Sequence, residues 1–116
     1  MVAMSTDTQE VTPDLNEVRL VGRVAAEAQC RELPSGDELV TWRLIVRRRK
    51  RKGEQKAGVD TIDIACWTPG ARKRALALQP DQRVEVVGML HRRFFRAGGG
   101  AASRYEVEAQ AIRRAR

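Results

Sequence analysis

Apolar and polar side chains alternate along several stretches of the chain, and the clearest of these covers residues 40–47. The apolar residues at every second position are Val40, Trp42, Leu44 and Val46. Successive side chains of a β-strand point to opposite faces of the sheet. The pattern therefore predicts a half-buried strand with Trp42 in the core.

Four further stretches have the same period of two and are predicted to be strands. They cover residues 18–24, 61–67, 83–95 and 104–112. In the last strand the alternation places one set of residues on a single face: Tyr105, Val107, Ala109 and Ala111. Good helix formers over residues 71–79 predict one short helix. Gly98–Ser103 are predicted to form the tip of a long hairpin between the fourth and fifth strands.

The order of these elements indicates the fold class. Five short strands, with one helix between the third and the fourth, are the plan of the OB-fold, a five-stranded Greek-key barrel. The chain is therefore predicted to be all-β apart from that helix, and a small open sandwich is the alternative that gives a similar pattern. Gly22 and Gly88 interrupt predicted strands and indicate a close approach of two backbones or a bulge.

Charge divides the chain into three parts. Residues 1–15 are predicted to be a mobile acidic arm, residues 16–112 the folded domain and residues 113–116 a basic tail. The net charge is +7, and because residues 1–17 hold four acids and no Lys or Arg, the remainder has 22 basic against 11 acidic residues. A domain this basic indicates a polyanionic partner, either nucleic acid or an anionic membrane surface.

Several function classes are excluded by what the sequence lacks. Cys30 and Cys66 are the only cysteines and His91 is the only histidine, so a zinc site or a catalytic triad has almost no residues to draw on. We therefore expect no cofactor, no metal and no enzymatic activity. A long apolar run and a signal peptide are also missing, which predicts a cytoplasmic protein that does not engage a membrane.

Aromatic and basic residues are interleaved in residues 92–96, which read Arg-Arg-Phe-Phe-Arg. A protein that binds single strands without sequence preference needs stacking platforms within a basic groove. Adjacent strand residues point to opposite faces. Only one of the two rings can therefore face the ligand while the strand is regular. We expect this ring to be Phe95, and Phe94 to pack inward or against a neighbouring subunit. The alternative is that both rings are packing residues.

Trp67 is a further candidate for stacking, because the alternation places it opposite the apolar face of its strand; packing under the helix is the alternative. The run from Arg47 to Lys52 has six cations in six residues, for which phosphate is the expected counter-charge. A solvated loop and a nuclear-localisation signal are competing interpretations of that run. The predicted nucleic-acid-binding residues are Trp67, Phe94, Phe95, Arg92, Arg93, Arg96, Arg43, Arg47, Arg49, Lys50 and Lys52.

Five short motifs, taken together, resemble the bacterial single-stranded DNA-binding protein family. In chain order they are Asn16–Val24 (NEVRLVGRV), Leu33–Gly36 (LPSG), Val40–Val46 (VTWRLIV), Asp60–Trp67 (DTIDIACW) and Val86–Leu90 (VVGML). They cover about residues 16–112. The resemblance implies an OB-fold that assembles into a homotetramer, or a dimer, and binds single-stranded DNA without sequence specificity. It also implies a cytoplasmic, nucleoid-associated role in replication, recombination or repair.

The resemblance assigns base stacking to Trp67 and Phe95, with basic neighbours at Arg92, Arg93 and Arg96. Two positions depart from the family pattern, since Thr61 and Lys50 stand where stacking aromatics often occur. The family's acidic C-terminal tip, which recruits replication and repair partners, has no counterpart before Arg116, so such recruitment is not part of the expectation.

Two other functions remain open on the residues alone. One is an RNA-binding OB module, because arginines and phenylalanines do not reveal the sugar of the strand and only contacts to the 2′-hydroxyl would. The other is a primosome-type accessory protein that keeps the barrel and binds protein partners. The acidic arm is a candidate competitor of DNA for the basic groove.

Overall fold

The computed structural model describes residues 12–116, so the predicted acidic arm lies largely outside the described residues. The described elements are β1 (Val18–Val24), β2 (Gln29–Glu32), β3 (Glu38–Arg47), β4 (Val59–Cys66), α1 (Pro69–Leu76), β5 (Arg83–Ala97) and β6 (Gly100–Arg114). β2 was missed by the sequence analysis, because its four residues are all exposed and show no apolar alternation.

The strands form one sheet in the order β1-β5-β6-β4-β3-β2, and an additional pairing of β1 with β3 closes it into a ring. All neighbours are antiparallel except β4 and β6, which run parallel with Ile64 opposite Val107. The closing contact is short, since only Arg23 and Val24 of β1 pair with β3. This closed sheet with its single described helix confirms the predicted OB-fold.

The core lies inside this ring and contains the residues that the alternation predicted. Trp42 is 4% exposed, and its neighbours Val40 and Leu44 are fully buried. Ile64 and Cys66 of β4 pack in the same cluster. Burial of these apolar side chains, each contributing roughly 1.5–3 kcal/mol, is the main stabilising term of the barrel.

Gly88 lies at a β-bulge, where the pairing shifts from Val87 opposite Ala111 to Gly88 opposite Ala109. A Cβ atom on Gly88 would overlap the backbone carbonyl of Glu108, so only glycine fits there. Because a bulge adds one residue to one strand, side chains beyond it change face. The predicted placement of Ala111 with Ala109 was therefore wrong, and Ile112 is buried instead.

Helix α1 covers the end of β4. Thr68 caps it, since its Oγ1 accepts from the amide of Ala71 at 3.2 Å, and Pro69 occupies the first turn. The guanidinium of Arg74 donates to the carbonyl of Ile112, from Nη2 at 2.6 Å, and Arg72 lies 3.7 Å from Glu38. Both arginines thus attach the helix to the barrel.

β5 and β6 form a hairpin of two 15-residue strands. β6 continues two residues past its predicted end at Ile112, so Arg113 and Arg114 of the basic tail belong to the strand. Arg113 lies 3.8 Å from Glu85 on β5. The other end of the hairpin has no barrel strand beside it and forms most of the site described below.

Candidate nucleic-acid interface

The outer part of the β5–β6 hairpin presents two faces with different residues. The register pairs Arg92 with Tyr105 and Phe94 with Ser103 on one face, and Arg93 with Arg104 on the other. We call the first the Phe94 face, defined by Arg92, Phe94, Arg96, Ser103 and Tyr105. We call the second the Phe95 face, defined by Arg93, Phe95, Arg104 and Glu106.

On the Phe95 face, two cations flank one aromatic ring. The guanidinium carbon of Arg93 lies 5.4 Å from the centre of the Phe95 ring, and that of Arg104 lies 5.9 Å from it. Both cations are also paired with acids. Arg93 donates to Glu106 Oε1 at 3.2 Å, and Arg104 Nε lies 3.8 Å from Asp63.

Glu106 is the one buried charged residue among residues 12–116, with 2% of its surface exposed. Its Oε1 accepts from Arg93, whereas its Oε2 has no partner. A buried carboxylate requires a counter-charge. The ion pair with Glu106 therefore fixes the position of Arg93, whose guanidinium lies over the Phe95 ring.

On the Phe94 face, the guanidinium of Arg92 lies close to two exposed aromatic rings. The guanidinium carbon of Arg92 lies 4.7 Å from the centre of the Phe94 ring and 5.5 Å from that of Tyr105. Its Nε donates to Ser103 Oγ at 3.2 Å. Phe94 is 67% exposed and Tyr105 60%, which are large values for aromatic side chains.

The two phenylalanines point to opposite faces, as the alternation predicted. Phe94 does not pack inward, which was one of its two expected positions, because its strand has passed beyond the barrel at that point and no core lies beneath it. Its packing against a neighbouring subunit, the other expected position, stays a prediction. Phe95 is the less exposed ring of the two, since Arg93 and Arg104 cover it. The assignment of Phe95 as the ligand-facing ring stays a prediction.

A groove of about 340 Å³ lies between the Phe95 face and the outer side of β3 and β4. Its charged lining residues are Glu27, Arg31, Arg43, Asp63, Arg93, Arg104 and Glu106. Arg43, a predicted site residue, lies 3.3 Å from Asp63 at its Nε. The structure thus brings Arg43 and the hairpin arginines to one groove, with Asp63 between Arg43 and Arg104.

The cationic run from Arg47 to Lys52 begins at the last residue of β3 and is exposed throughout. Arg48 lies 3.7 Å from Asp60. In the part of the chain that the structure describes, no carboxylate oxygen lies within 4 Å of a charged side-chain nitrogen of the other five residues of the run, Arg47, Arg49, Lys50, Arg51 and Lys52. Glu54 accepts from the backbone amide of Arg51 and not from its side chain. The charges of these five residues are therefore available to an external anion.

Trp67 lies apart from these groups. It follows β4 directly and is half-buried next to α1. The parallel pairing observed at Ile64 and Val107, continued in step along both strands, brings Ala102 and its hairpin partner Phe95 to the level of Val59. Eight residues of extended chain, roughly 26 Å, separate Val59 from Trp67. The cationic run begins at the Val59 end, so it lies on the hairpin side and Trp67 on the other.

Four residues of the site were missed by the sequence analysis: Asp63, Arg104, Tyr105 and Glu106. Tyr105 was counted with the apolar face of its strand, because it lies two positions before Val107 and so on the same face. The register of the hairpin would have identified two of these four residues, because it sets Tyr105 opposite Arg92 and Arg104 opposite Arg93.

The two thiols differ in environment. Cys30 is exposed on β2, and Cys66 is buried in the core. Burial raises the pKa of the Cys66 thiol to about 11. Among residues 12–116, no group of three His, Cys, Asp or Glu side chains is placed to hold a metal ion. No helix in the described part of the chain is long and apolar enough to cross a membrane.

Comparisons with known proteins place these observations in context. The model of the single-strand binding protein family matches residues 15–115. A solved Plasmodium falciparum SSB in complex with ssDNA is similar in structure, with a TM-score of 0.76 and 23% identity over 91% of this chain and 99% of that one. The comparison with curated protein sequences gives no match.

Proposed function

This chain belongs to the single-strand binding protein family, and we propose that it binds single-stranded DNA without sequence specificity. The observation that carries the proposal is the pairing of aromatic rings with guanidinium groups on the hairpin, beside a loop of exposed cations. Every base has a π-face and every nucleotide a phosphate, so a surface of this kind binds strands of any sequence. Binding rather than catalysis also agrees with a family of binding proteins.

Both the aromatic rings and the basic side chains contribute to the free energy of the proposed binding. Stacking of a base on an aromatic side chain contributes about 1–3 kcal/mol. Each phosphate neutralised by Lys or Arg releases counterions, which lowers the logarithm of the binding constant by about 0.7 per tenfold rise in salt for single strands. The chain has two Phe, two Trp and one Tyr against 22 Lys and Arg. The proposal therefore assigns a large share of the affinity to charge.

The path of the strand follows from the arrangement of the predicted residues. The proposed strand runs along the outer side of β3 and β4, from Trp67 past Arg43 to the hairpin. The roughly 26 Å between its ends accommodates several nucleotides in extended form. Thr61, where a family aromatic is replaced, lies within this stretch on β4.

Assembly and cellular role are further parts of the proposal. The pairing of β1 with β3 involves only Arg23 and Val24, so residues 18–22 present an unpaired edge on that side. An exposed edge of this kind is suited to pairing with a second copy, which supports a homotetramer or a dimer. Such an assembly would protect single strands during replication, recombination or repair, in the cytoplasm and on the nucleoid.

The decisive experiment is a titration of fluorescently labelled oligo-dT and oligo-rU, read by anisotropy at several salt concentrations. We expect tight, salt-sensitive binding of dT and weaker binding of rU. Quenching of tryptophan emission would locate part of the contact at Trp67, because Trp42 is buried. Binding of rU as tight as dT would favour the RNA-binding function, and no binding at low salt would contradict the proposal.

A further inference from the structure

We propose that the Phe94 face is a second base-stacking surface, separate from the Phe95 face, and that Tyr105 is one of its stacking residues. The inference rests on the proposed binding of single strands. It assigns to this chain a hairpin that is contacted by DNA on both of its faces, where the sequence analysis expected only Phe95 of the two hairpin phenylalanines to face the ligand and counted Tyr105 with the apolar face.

The exposure of the rings is the first argument. Phe94 and Tyr105 are 67% and 60% exposed, and both belong to one face of the hairpin. In the register they are diagonal neighbours, because Phe94 opposes Ser103 and Tyr105 opposes Arg92. Diagonal neighbours of an antiparallel pair lie about 7–8 Å apart, and somewhat less between their Cβ atoms, which puts both rings within reach of neighbouring bases of one strand segment.

The charge of this face is the second argument. On the Phe95 face Arg93 is paired with the buried Glu106, and Arg104 lies 3.8 Å from Asp63, so each cation has an acid beside it. On the Phe94 face, no carboxylate of residues 12–116 lies within 4 Å of Arg92. The face with the more exposed rings is therefore also the face with the uncompensated cation.

The hydrogen-bonding capacity of Arg92 is the third argument. A guanidinium has five N–H donors, and within the described residues Arg92 uses its Nε alone, toward Ser103. That contact fixes the plane of the group beside both rings. The donors on its Nη atoms remain available, and their fork geometry suits the oxygens of a phosphate.

The same charges argue against a second copy of this face as the occupant. A two-fold axis that passed through this face would bring the same patch of both subunits together. Arg92 and Arg96 of one copy would then approach those of the other without any acid between them. A strand that brings its own phosphates fits this face better than another copy of it.

The two faces bind different nucleotides, because the hairpin backbone separates them. A base stacked on Tyr105 lies on the opposite side of the ribbon from a base stacked on Phe95. One strand would have to pass around the hairpin, or two segments would lie against it, one on each face.

Tyr105 is the only tyrosine of the chain, which allows a direct test with the full-length protein. Biosynthetic incorporation of 3-fluorotyrosine gives one ¹⁹F resonance. We expect saturating oligo-dT to shift this resonance in the unmodified sequence and also in Phe95→Leu, since the two faces act separately. Binding is followed in the same samples by anisotropy of the labelled oligonucleotide.

Two results would separate the failure of this inference from the failure of the proposed function. Binding by anisotropy with an unmoved resonance would overturn the Phe94 face as a DNA contact and leave the proposed function intact. Absence of any binding would overturn both.

Affinity measurements give a second test. Tyr105→Leu should weaken oligo-dT binding roughly 5- to 150-fold, the range of one lost base stack. Tyr105→Phe, which keeps the ring, should bind as tightly as the parent. Leu76→Ala, an exposed apolar residue on α1, is the matched control and should bind as the parent. A loss of affinity in Tyr105→Leu together with a change in molar mass by light scattering would assign Tyr105 to a subunit contact and overturn the inference.

Discussion

Asn16 pairs with Leu90 through both atoms of its side-chain amide. Its Nδ2 donates to the Leu90 carbonyl at 2.7 Å, and its Oδ1 accepts from the Leu90 amide at 2.9 Å. Leu90 lies two residues past Gly88, where the pairing of β5 with β1 ends. The side chain of Asn16 thus replaces a strand neighbour at the point where the hairpin leaves the barrel.

Asn16→Ala should therefore lower the free energy of unfolding by about 1–3 kcal/mol, since each of the two hydrogen bonds contributes about 0.5–1.5 kcal/mol. Urea denaturation measures the change. Glu17→Ala is the control, since Glu17 is exposed next to Asn16 and its side chain makes no hydrogen bond or ion pair within residues 12–116. Equal midpoints for Asn16→Ala and the parent would show that the amide pair contributes nothing to stability.

Gly88→Ala should be strongly destabilising, because its Cβ would overlap the Glu108 carbonyl within the bulge. Overpacking against backbone costs about 1–3 kcal/mol, and the thermal midpoint should fall accordingly. Gly70→Ala is the matched control, since nothing lies within 4 Å of a Cβ there. In the first turn of α1 it should leave stability unchanged or raise it by up to about 1 kcal/mol. Similar losses in both variants would contradict the steric argument.

The raised pKa of Cys66 predicts a fall in stability at high pH. The folded thiol has a pKa of about 11 against 9.0 for the unperturbed group. Below pH 9 the thiol is protonated in both states, so the contribution is fully present. Between pH 9 and 11 the unfolded state ionises first and stability decreases, by on the order of 2 kcal/mol.

The measurement is the urea midpoint from pH 8 to 11, compared with that of Cys66→Ala. Other groups also titrate in this window, and the difference between the two proteins isolates the thiol. The parent should lose more stability than the variant as the pH rises. If the midpoints of the two proteins changed in parallel with pH, burial would not raise the pKa of the Cys66 thiol.

Neutralising the cationic run should weaken binding uniformly across sequences. Arg49→Gln and Lys50→Gln each remove one charge that has no acidic partner in the described residues. Each should reduce the slope of log binding constant against log salt by about 0.7, the value for one phosphate contact with a single strand. Lys73→Gln on α1 is the control. Unchanged slopes in the two loop variants would make the run a solvated loop.

The sequence predicted the barrel well where alternation reports burial. Trp42, Val40 and Leu44 lie in the core because they occupy one face of a strand inside a closed ring. The alternation failed where local backbone changed it, as at the Gly88 bulge. The alternation also gave no prediction for β2, because all four residues of that strand are exposed.

The candidate site was predictable in its residue types and less so in its arrangement. Phe94 and Phe95 were placed on opposite faces correctly, because that depends on the strand alone. Their exposure depends on where the barrel ends relative to the hairpin, which is a property of the tertiary structure. For the same reason Tyr105 resembled a core residue in the sequence.

The pairing of β1 with β5 also constrains the order in which the chain acquires its structure. Val18 lies opposite Gly88, seventy positions later in the chain. Contacts between such distant residues are slow to form, since a long loop must close first. During synthesis, the first strand therefore has to wait for the last third of the chain before it finds its main partner. Until then its unpaired edge and its apolar side chains are open to chaperones and to other nascent copies.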